Sequence, residues 1–318
     1  MKNYLCALGV ICSLVLRLSP LGIPGNEARP PVEHHEIAIT FSDPNFEAEV
    51  RKIIEKPEGE ILRSHVEGIS VLYIEECNIS DLQGLEYFTG LKQLYCSFNQ
   101  LTKLDVSKNT SLEVLYCSFN QLTTLDVSKN TALKELRCDD NQLKALDVSL
   151  HSKMVELRCS NNQLTGLDIR NNPELWLIMC YENQLMTLDV SSNPKLWGLF
   201  CEENKLDSLN LQGAVALNRV ICNDNQLTAL DVSSNVELDS LECNNNLLSE
   251  LNVRGAVALA SIECAYNQLE TLDVSQNTDL KYLICNNNLM SEKAAVIGLD
   301  ESKLKDFIFE PQLPQASF

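Results

Sequence analysis

Histidine is scarce, with four in 318 residues, and basic residues are outnumbered, 25 Lys and Arg against 44 Asp and Glu, for a net charge of −19. That acid excess argues against a nucleic-acid partner and an anionic membrane surface, because both need a basic footprint. No pair of cysteines stands at C-x₂₋₄-C spacing, and only the adjacent His34 and His35 fall together. A zinc site is therefore not expected, and the histidine pair reads as a solvated one. Catalysis would need a nucleophile with a base, a carboxylate pair in a cleft, or converging metal ligands. Two histidines lie near the N-terminus, His65 lies in a helical stretch and His151 interrupts a repeat, so none is placed to serve a concave Ser or Cys. No enzyme activity, no cofactor and no metal are expected. Apolar runs are short: Tyr4 to Leu16 is the longest near the start, below the about 20 residues that span a bilayer.

What is abundant is periodic. Cys96, Cys117, Cys138, Cys159, Cys180, Cys201, Cys222, Cys243, Cys264 and Cys285 are each 21 residues apart, and an Asn follows each by three, from Asn99 to Asn288. A fixed period of this length means a solenoid. In the unit that starts at Leu112, Leu115 and Cys117 alternate with Tyr116, the pattern of a strand with one buried face. Leu122, Leu125 and Val127 must enter the same interior from the following turns. Twenty-one residues leave no room for a full return helix, so an irregular convex side is expected. Asn120 stands at the bend, where its amide can bond backbone groups of its own coil and the next. Ten coils stacked at about 4.8 Å make a parallel sheet roughly 45–50 Å long. Each coil is stable only against its neighbours, so both ends need caps.

The thirteen cysteines do not read as a disulfide framework. Ten share one inward position, where Cys behaves as a small buried hydrophobe. Their stacked side chains run parallel, a poor geometry for bridges. Reduced thiols are expected, with pairing of neighbours in an oxidising setting as the alternative. Asp105, Asp126, Asp147, Asp168, Asp189, Asp231 and Asp273 also share one position, with Asn210 and Asn252 replacing it twice. Such a row either binds calcium or holds local turns by accepting backbone N–H bonds. Because Asn substitutes without disturbing the flanking pattern, the turn reading is preferred.

The phrase LxxLxCxxNxLxxLDVSxN, with ten consecutive matches over residues 91–290, resembles the bacterial leucine-rich repeats of the internalin type, in the subclass where cysteine takes one core position. The string FSDPNFEAEVRKII…GEI likewise resembles the helical cap that precedes such repeats. The resemblance implies an α/β leucine-rich-repeat solenoid: a curved parallel sheet on the concave face, an irregular convex side and a helical N-terminal cap. It also implies an exported module that binds a macromolecule, a host or neighbouring-cell surface protein, with carbohydrate or mucin recognition as the alternative. The absence of an LPxTG-like sorting signal departs from wall-anchored internalins.

Taken in order, residues 1–28 read as a signal peptide, with Lys2 as the positive start, Ser19 and Ala28 as possible cleavage points, and an uncleaved anchor as the alternative. Neither Cys6 nor Cys12 follows a lipobox. Residues 29–40 form a tether. Residues 41–68 form the cap: Ser42 or Asp43 precedes a helix with Pro44 in its first turn, and Phe46, Val50, Ile53 and Ile54 share a face. Ile61 to Val66 reads as a second short helix. Residues 69–290 are repeats, beginning with an atypical coil in which Ile69, Leu72, Ile74, Ile79 and Leu82 fill the core and Cys77 takes the Asn position. Residues 291–318 are the C-terminal cap, with a short capped helix from Ser291 and a final strand from Leu304 to Phe309. A secreted or cell-surface monomer with no membrane span in the mature chain is expected.

Binding information can be written only at outward strand positions, which the repeat leaves free. Leu177, Met179, Tyr181, Phe200 and Ile221 are read as a solvent-facing apolar patch, rimmed by Arg137 and Arg158 beside Glu135 and Glu156. Tyr95 and Tyr116, with Phe98 and Phe119, form a second aromatic row. Trp176 and Trp197 stack one register to the side, either joining the patch or merely packing together at the sheet edge.

Overall fold

The computed structural model describes residues 36–313; the expected signal peptide and most of the tether lie outside the described residues. Among the described residues, twelve strands form one sheet, from Val71–Tyr73 to Asp306–Ile308. Every pairing in it is parallel and in register with the repeat: Leu72 faces Leu94, then Leu115, Leu136, Leu157, Ile178 and Leu199. The core is therefore a bundle of ladders. All ten repeat cysteines are buried and free. Burial pushes the Cys180 and Cys222 thiols up to about 12, so these side chains pack as hydrophobes and carry no thiolate. Cys77, outside the ladder, is half-buried, and its thiol donates to the Glu75 carbonyl at 3.1 Å.

The Asn ladder closes each bend. Asn120 Nδ2 donates to Cys117 O and Ser118 O of its own coil and to Cys96 O of the coil before, and its Oδ1 accepts from Leu101 N. The partner coil is thus the preceding one, where the following one was expected. A second, buried Asn column runs along the convex side at Asn109, Asn130, Asn172, Asn193, Asn235 and Asn277. Asn130 Nδ2, for example, donates to Val106 O and Asn109 O. His151 stands in this column and its Nε2 takes over the bond, to Val127 O at 3.1 Å.

Between strand and Asn, each coil places one residue in the left-handed region, at φ from 49° to 57° for the row Glu76, Phe98, Phe119, Asp140 and on to Asn287. For a side chain other than Asn or Asp this costs about 1–2 kcal/mol. The stack offsets it: Phe98 N and Phe119 N each donate at 3.0 Å to the next coil's carbonyl, on Ser118 and Asp139.

The convex side is more ordered than expected. Among the described residues, three two-stranded parallel pairs form there, Thr187–Asp189 with Ser208–Asn210, Ala229–Asp231 with Glu250–Asn252, and Leu272–Asp273 with Val296–Ile297. The first two occur where Asn replaces Asp, because the Asn amide donates to the carboxylate one coil back: Asn210 to Asp189 at 3.0 Å and Asn252 to Asp231 at 3.1 Å. Asp stacked on Asp lacks that bond and repels, and Asp105 and Asp126 share only an isolated parallel bridge. Asn at this site also carries a changed flank, Gly213-Ala214 and Gly255-Ala256, against the expectation of an undisturbed pattern.

Helix Pro44–Ile53 caps the N-terminal end. Asp43, not Ser42, is its N-cap: Oδ1 accepts from Asn45 N and Phe46 N, while Oδ2 accepts from Ser80 N and Oγ and so ties the helix to the first coil. Phe46 and Val50 are buried, but Ile53 is 41% exposed, because it sits in the last turn, past the coil it was expected to cover. A single helical turn, Arg63–Val66, follows. At the other end the expected helix from Ser291 is only a 3₁₀ turn, Lys293–Ala295. Pairing of Val296–Ile297 with Leu272–Asp273 overrides local helix preference there. The last strand, Asp306–Ile308, falls inside the expected span.

Candidate functional site

Strand register sets the outward residues in columns. One column runs Tyr73, Tyr95, Tyr116, Arg137, Arg158, Met179, Phe200, Ile221, Glu242, Glu263 and Ile284. Seven of the eleven residues singled out from sequence stand in it, from Tyr95 to Ile221, and all seven are half-buried. Tyr73 begins the same column at 63% exposure and was missed, because the first coil departs from the repeat by one residue.

The column is a chain of contacts. The Tyr73 and Tyr95 rings stack at 4.4 Å and Tyr95 meets Tyr116 edge-on at 5.0 Å. The Arg137 guanidinium lies 4.0 Å over the Tyr116 ring, within cation–π range. Tyr116 donates its hydroxyl to Glu135 Oε2 at 2.5 Å, and Arg137 and Arg158 share Glu156 Oε1 at 2.8 and 2.5 Å. The two arginines are thus held in a surface network around one shared carboxylate, Glu156. Phe98 and Phe119 stack at 4.4 Å in the left-handed row beyond.

Leu177 corrects the expected patch. It faces Glu156 and Gly198 in the neighbouring column and is only 5% exposed. Gly198 supplies the reason: a Cβ there would lie 3.0 Å from Leu177 Cδ1 and 3.1 Å from Phe200 Cε2, so both side chains lean over the space that glycine leaves. The part of the patch that solvent reaches is therefore the half-buried Met179, Phe200 and Ile221. Tyr181 stands beside it in a third column, with Asp139, Ser160 and Glu202. Burial pushes the carboxyls of Asp139 and Glu202 up, in Asp139 against bonds from Ser160 N at 3.0 Å and Ser118 Oγ at 3.1 Å. Sequence reasoning passed over both acids, since burial at this position depends on the neighbouring coils. Trp176 and Trp197 stack at 5.2 Å and 12°, exposed at 46% and 37%, on the flank where the chain enters each strand.

The convex Asp row builds turns. In Asp105, Asp126, Asp147, Asp168, Asp189, Asp231 and Asp273, Oδ1 accepts the backbone N–H two residues on. The serine side chain first and its backbone N–H second hold the carboxyls of Asp105 and Asp147 below the usual range, and the same two groups in the reverse order do so for Asp126 and Asp189. The Arg170 side chain takes Asp168 down to about 2, and the Ser275 side chain with Arg254 does the same for Asp273. A depressed carboxyl contributes stability that is present above its unfolded value of about 3.9 and is lost as pH falls through its folded value. The raised Asp139 and Glu202 act oppositely and favour the folded state as they protonate. Thermal melts are expected to show a modest rise in Tm from neutral pH to about pH 5 and a loss between about pH 4 and 2. A Tm that stays level below pH 4 would refute this account of the row.

Neither histidine among the described residues reaches the concave face: His65 Nδ1 accepts from Leu62 N, and His151 is fully buried. No helix among the described residues is long and apolar enough to cross a membrane.

Known proteins share the repeat fold. The family model described as leucine-rich repeats (2 copies) matches residues 110–150. Internalin J of Listeria monocytogenes serotype 4b (strain F2365) is 37% identical over 71 residues, 22% of this chain and 8% of that protein. A solved structure described as the functional domain of InlJ from Listeria monocytogenes, including a cysteine ladder, superposes with a TM-score of 0.64 at 33% identity, covering 77% of this chain and 60% of that one. An internalin, InlF, of Listeria monocytogenes str. 4b F2365 shares the fold, with a TM-score of 0.74 at 22% identity over 86% of this chain and 83% of that one. The chain spans less than two thirds of both InlJ matches. With its 21-residue period and its row of buried thiols, the chain is an internalin-like leucine-rich-repeat protein of the cysteine-ladder kind.

Proposed function

We propose that the chain is an exported protein-binding module, a secreted or surface adhesin-like protein, that grips an extracellular protein on its concave face. The observation that carries this reading is the half-exposed run Met179, Phe200 and Ile221, bounded by paired charges at Arg158–Glu156 and Arg219–Glu242. Apolar anchors inside a charged rim are what protein hot spots use. The Arg219 guanidinium lies 5.9 Å from the Phe200 ring and extends that rim over the patch. Export is part of the proposal and rests on residues 1–28.

A glycan is the second reading, favoured by the flat rings of Tyr73, Tyr95 and Tyr116 at the N-terminal end of the same column. The test is binding of the secreted form, residues 29–318, to arrays of extracellular proteins and of glycans. A Met179→Asp, Phe200→Asp variant with unchanged Tm runs beside it. A protein hit weakened at least tenfold in the variant is expected, since removing a hot spot costs about 2 kcal/mol or more. A glycan hit that survives moves the site to the tyrosines. A protein hit that the variant leaves untouched overturns the choice of surface.

A further inference from the structure

The flank that carries the tryptophans is an apolar ridge that the concave-face reading does not use. Val155, Trp176 and Trp197 occupy one position of three successive coils, and all are exposed. Three residues earlier in the coils, Pro173 and Pro194 lead to Val215 and Val236, which are exposed as well. The chain's only two tryptophans are both here.

The charges around the ridge are ordered. Along the tryptophan position the coils read Lys134, Val155, Trp176, Trp197, Asn218, Asp239; both end charges are exposed, and Lys134 also bridges Glu113 of the preceding coil at 2.5 Å. Two positions earlier, Glu174 and Lys195 flank the tryptophans and bridge each other at 2.5 Å. Consider a two-fold axis lying in the flank surface, perpendicular to the stacking direction and passing between the coils of Trp176 and Trp197. It reverses the order of coils and keeps each residue position facing the same position. Trp176 then meets the second copy's Trp197, Pro173 meets Pro194, Glu174 meets Lys195, and Lys134 meets Asp239. Each contact appears twice, as an isologous interface requires. Opposite charge falls on opposite charge in both charged pairs.

We infer that this flank is a self-association surface, on which a second copy of the chain docks antiparallel with its tryptophans against those of the first, in place of the monomer expected from sequence. The match covers six coils, about 29 Å at the strand spacing, and ends before Lys92 and Lys281, which the axis would place face to face. Each partner of a standard interface contributes about 800 Å², and the exposed Trp, Val and Pro surface supplies roughly half of that. The dimer is therefore expected to dissociate in the micromolar range, at about 1–100 μM. The concave column stays uncovered, so the two surfaces act independently.

The test is sedimentation velocity of the full chain over a concentration series, with tryptophan emission read in parallel. Because both tryptophans report from the ridge, association is expected to shift emission to shorter wavelength as concentration rises. Trp176→Glu should abolish dimer and shift together. Since that change also alters local packing, a charge cycle provides an independent check. Lys134→Glu and Asp239→Lys should each weaken association about tenfold, and the two combined should restore it to within about threefold. A chain that stays monomeric throughout, a dimer indifferent to Trp176→Glu, or two charge variants that fail to rescue each other would overturn the inference. None of these results bears on the concave-face variant above.

Discussion

Asn183→Asp is expected to destabilise the chain by about 4 kcal/mol, more than Asn183→Ala at about 2–3 kcal/mol, although aspartate has the shape of asparagine. Asn183 is 8% exposed and uses its amide fully. Nδ2 donates to Cys159 O at 3.0 Å, Cys180 O at 3.2 Å and Tyr181 O at 3.2 Å, while Oδ1 accepts from Leu164 N at 2.9 Å. Alanine strands the buried Leu164 N–H. It leaves the three carbonyls with other donors, since Asn162 and Asn204 still bond Cys159 O and Cys180 O, and Asn161 N still bonds Tyr181 O. Aspartate keeps the acceptor but turns a second oxygen onto those carbonyls and buries a charge among them. Urea unfolding of both variants decides the matter. Hydrogen exchange should localise the loss to coils on either side of Asn183, because a solenoid's stability is a sum over neighbours. Equal losses, or a larger loss for alanine, would show that the ladder acts by filling space and not by its donors.

The second large effect is expected at Gly255. A Cβ there would stand 1.8 Å from Ser233 O, 2.6 Å from Ser233 C and 2.9 Å from Ser233 Cα, all of them backbone. No side chain can rotate away, so one coil must move against the next. Gly255→Ala should cost about 3 kcal/mol, at the upper end for overpacking. Gly166→Ala is the matched control: a Cβ there meets nothing within 4 Å. It should be neutral or stabilise by about 0.4–1 kcal/mol through the unfolded chain. Chemical denaturation of the pair measures the difference, and comparable destabilisation in both would remove the steric explanation. The same constraint holds at the other coil where Asn replaces Asp: a Cβ on Gly213 would stand 2.3 Å from Ser191 O.

The sequence by itself determined the period, the buried leucine, cysteine and Asn rows, the N-terminal helix and the column that holds Tyr95 to Ile221. Each of these follows from a residue's place within its own coil, and ten copies of the coil state that place ten times. The tertiary structure decided what a single coil does not contain. Leu177 is buried because the next coil offers Gly198. Arg137 and Arg158 are paired because Glu156 stands between them. Asp139 and Glu202 are desolvated by neighbouring coils, and Val296–Ile297 became a strand because Leu272–Asp273 lay open beside it. A repeat fixes which residues face outward. Which of those remain available depends on the side chains about 4.8 Å away in the adjacent coils, and these are 21 residues off in sequence, where no local pattern reaches.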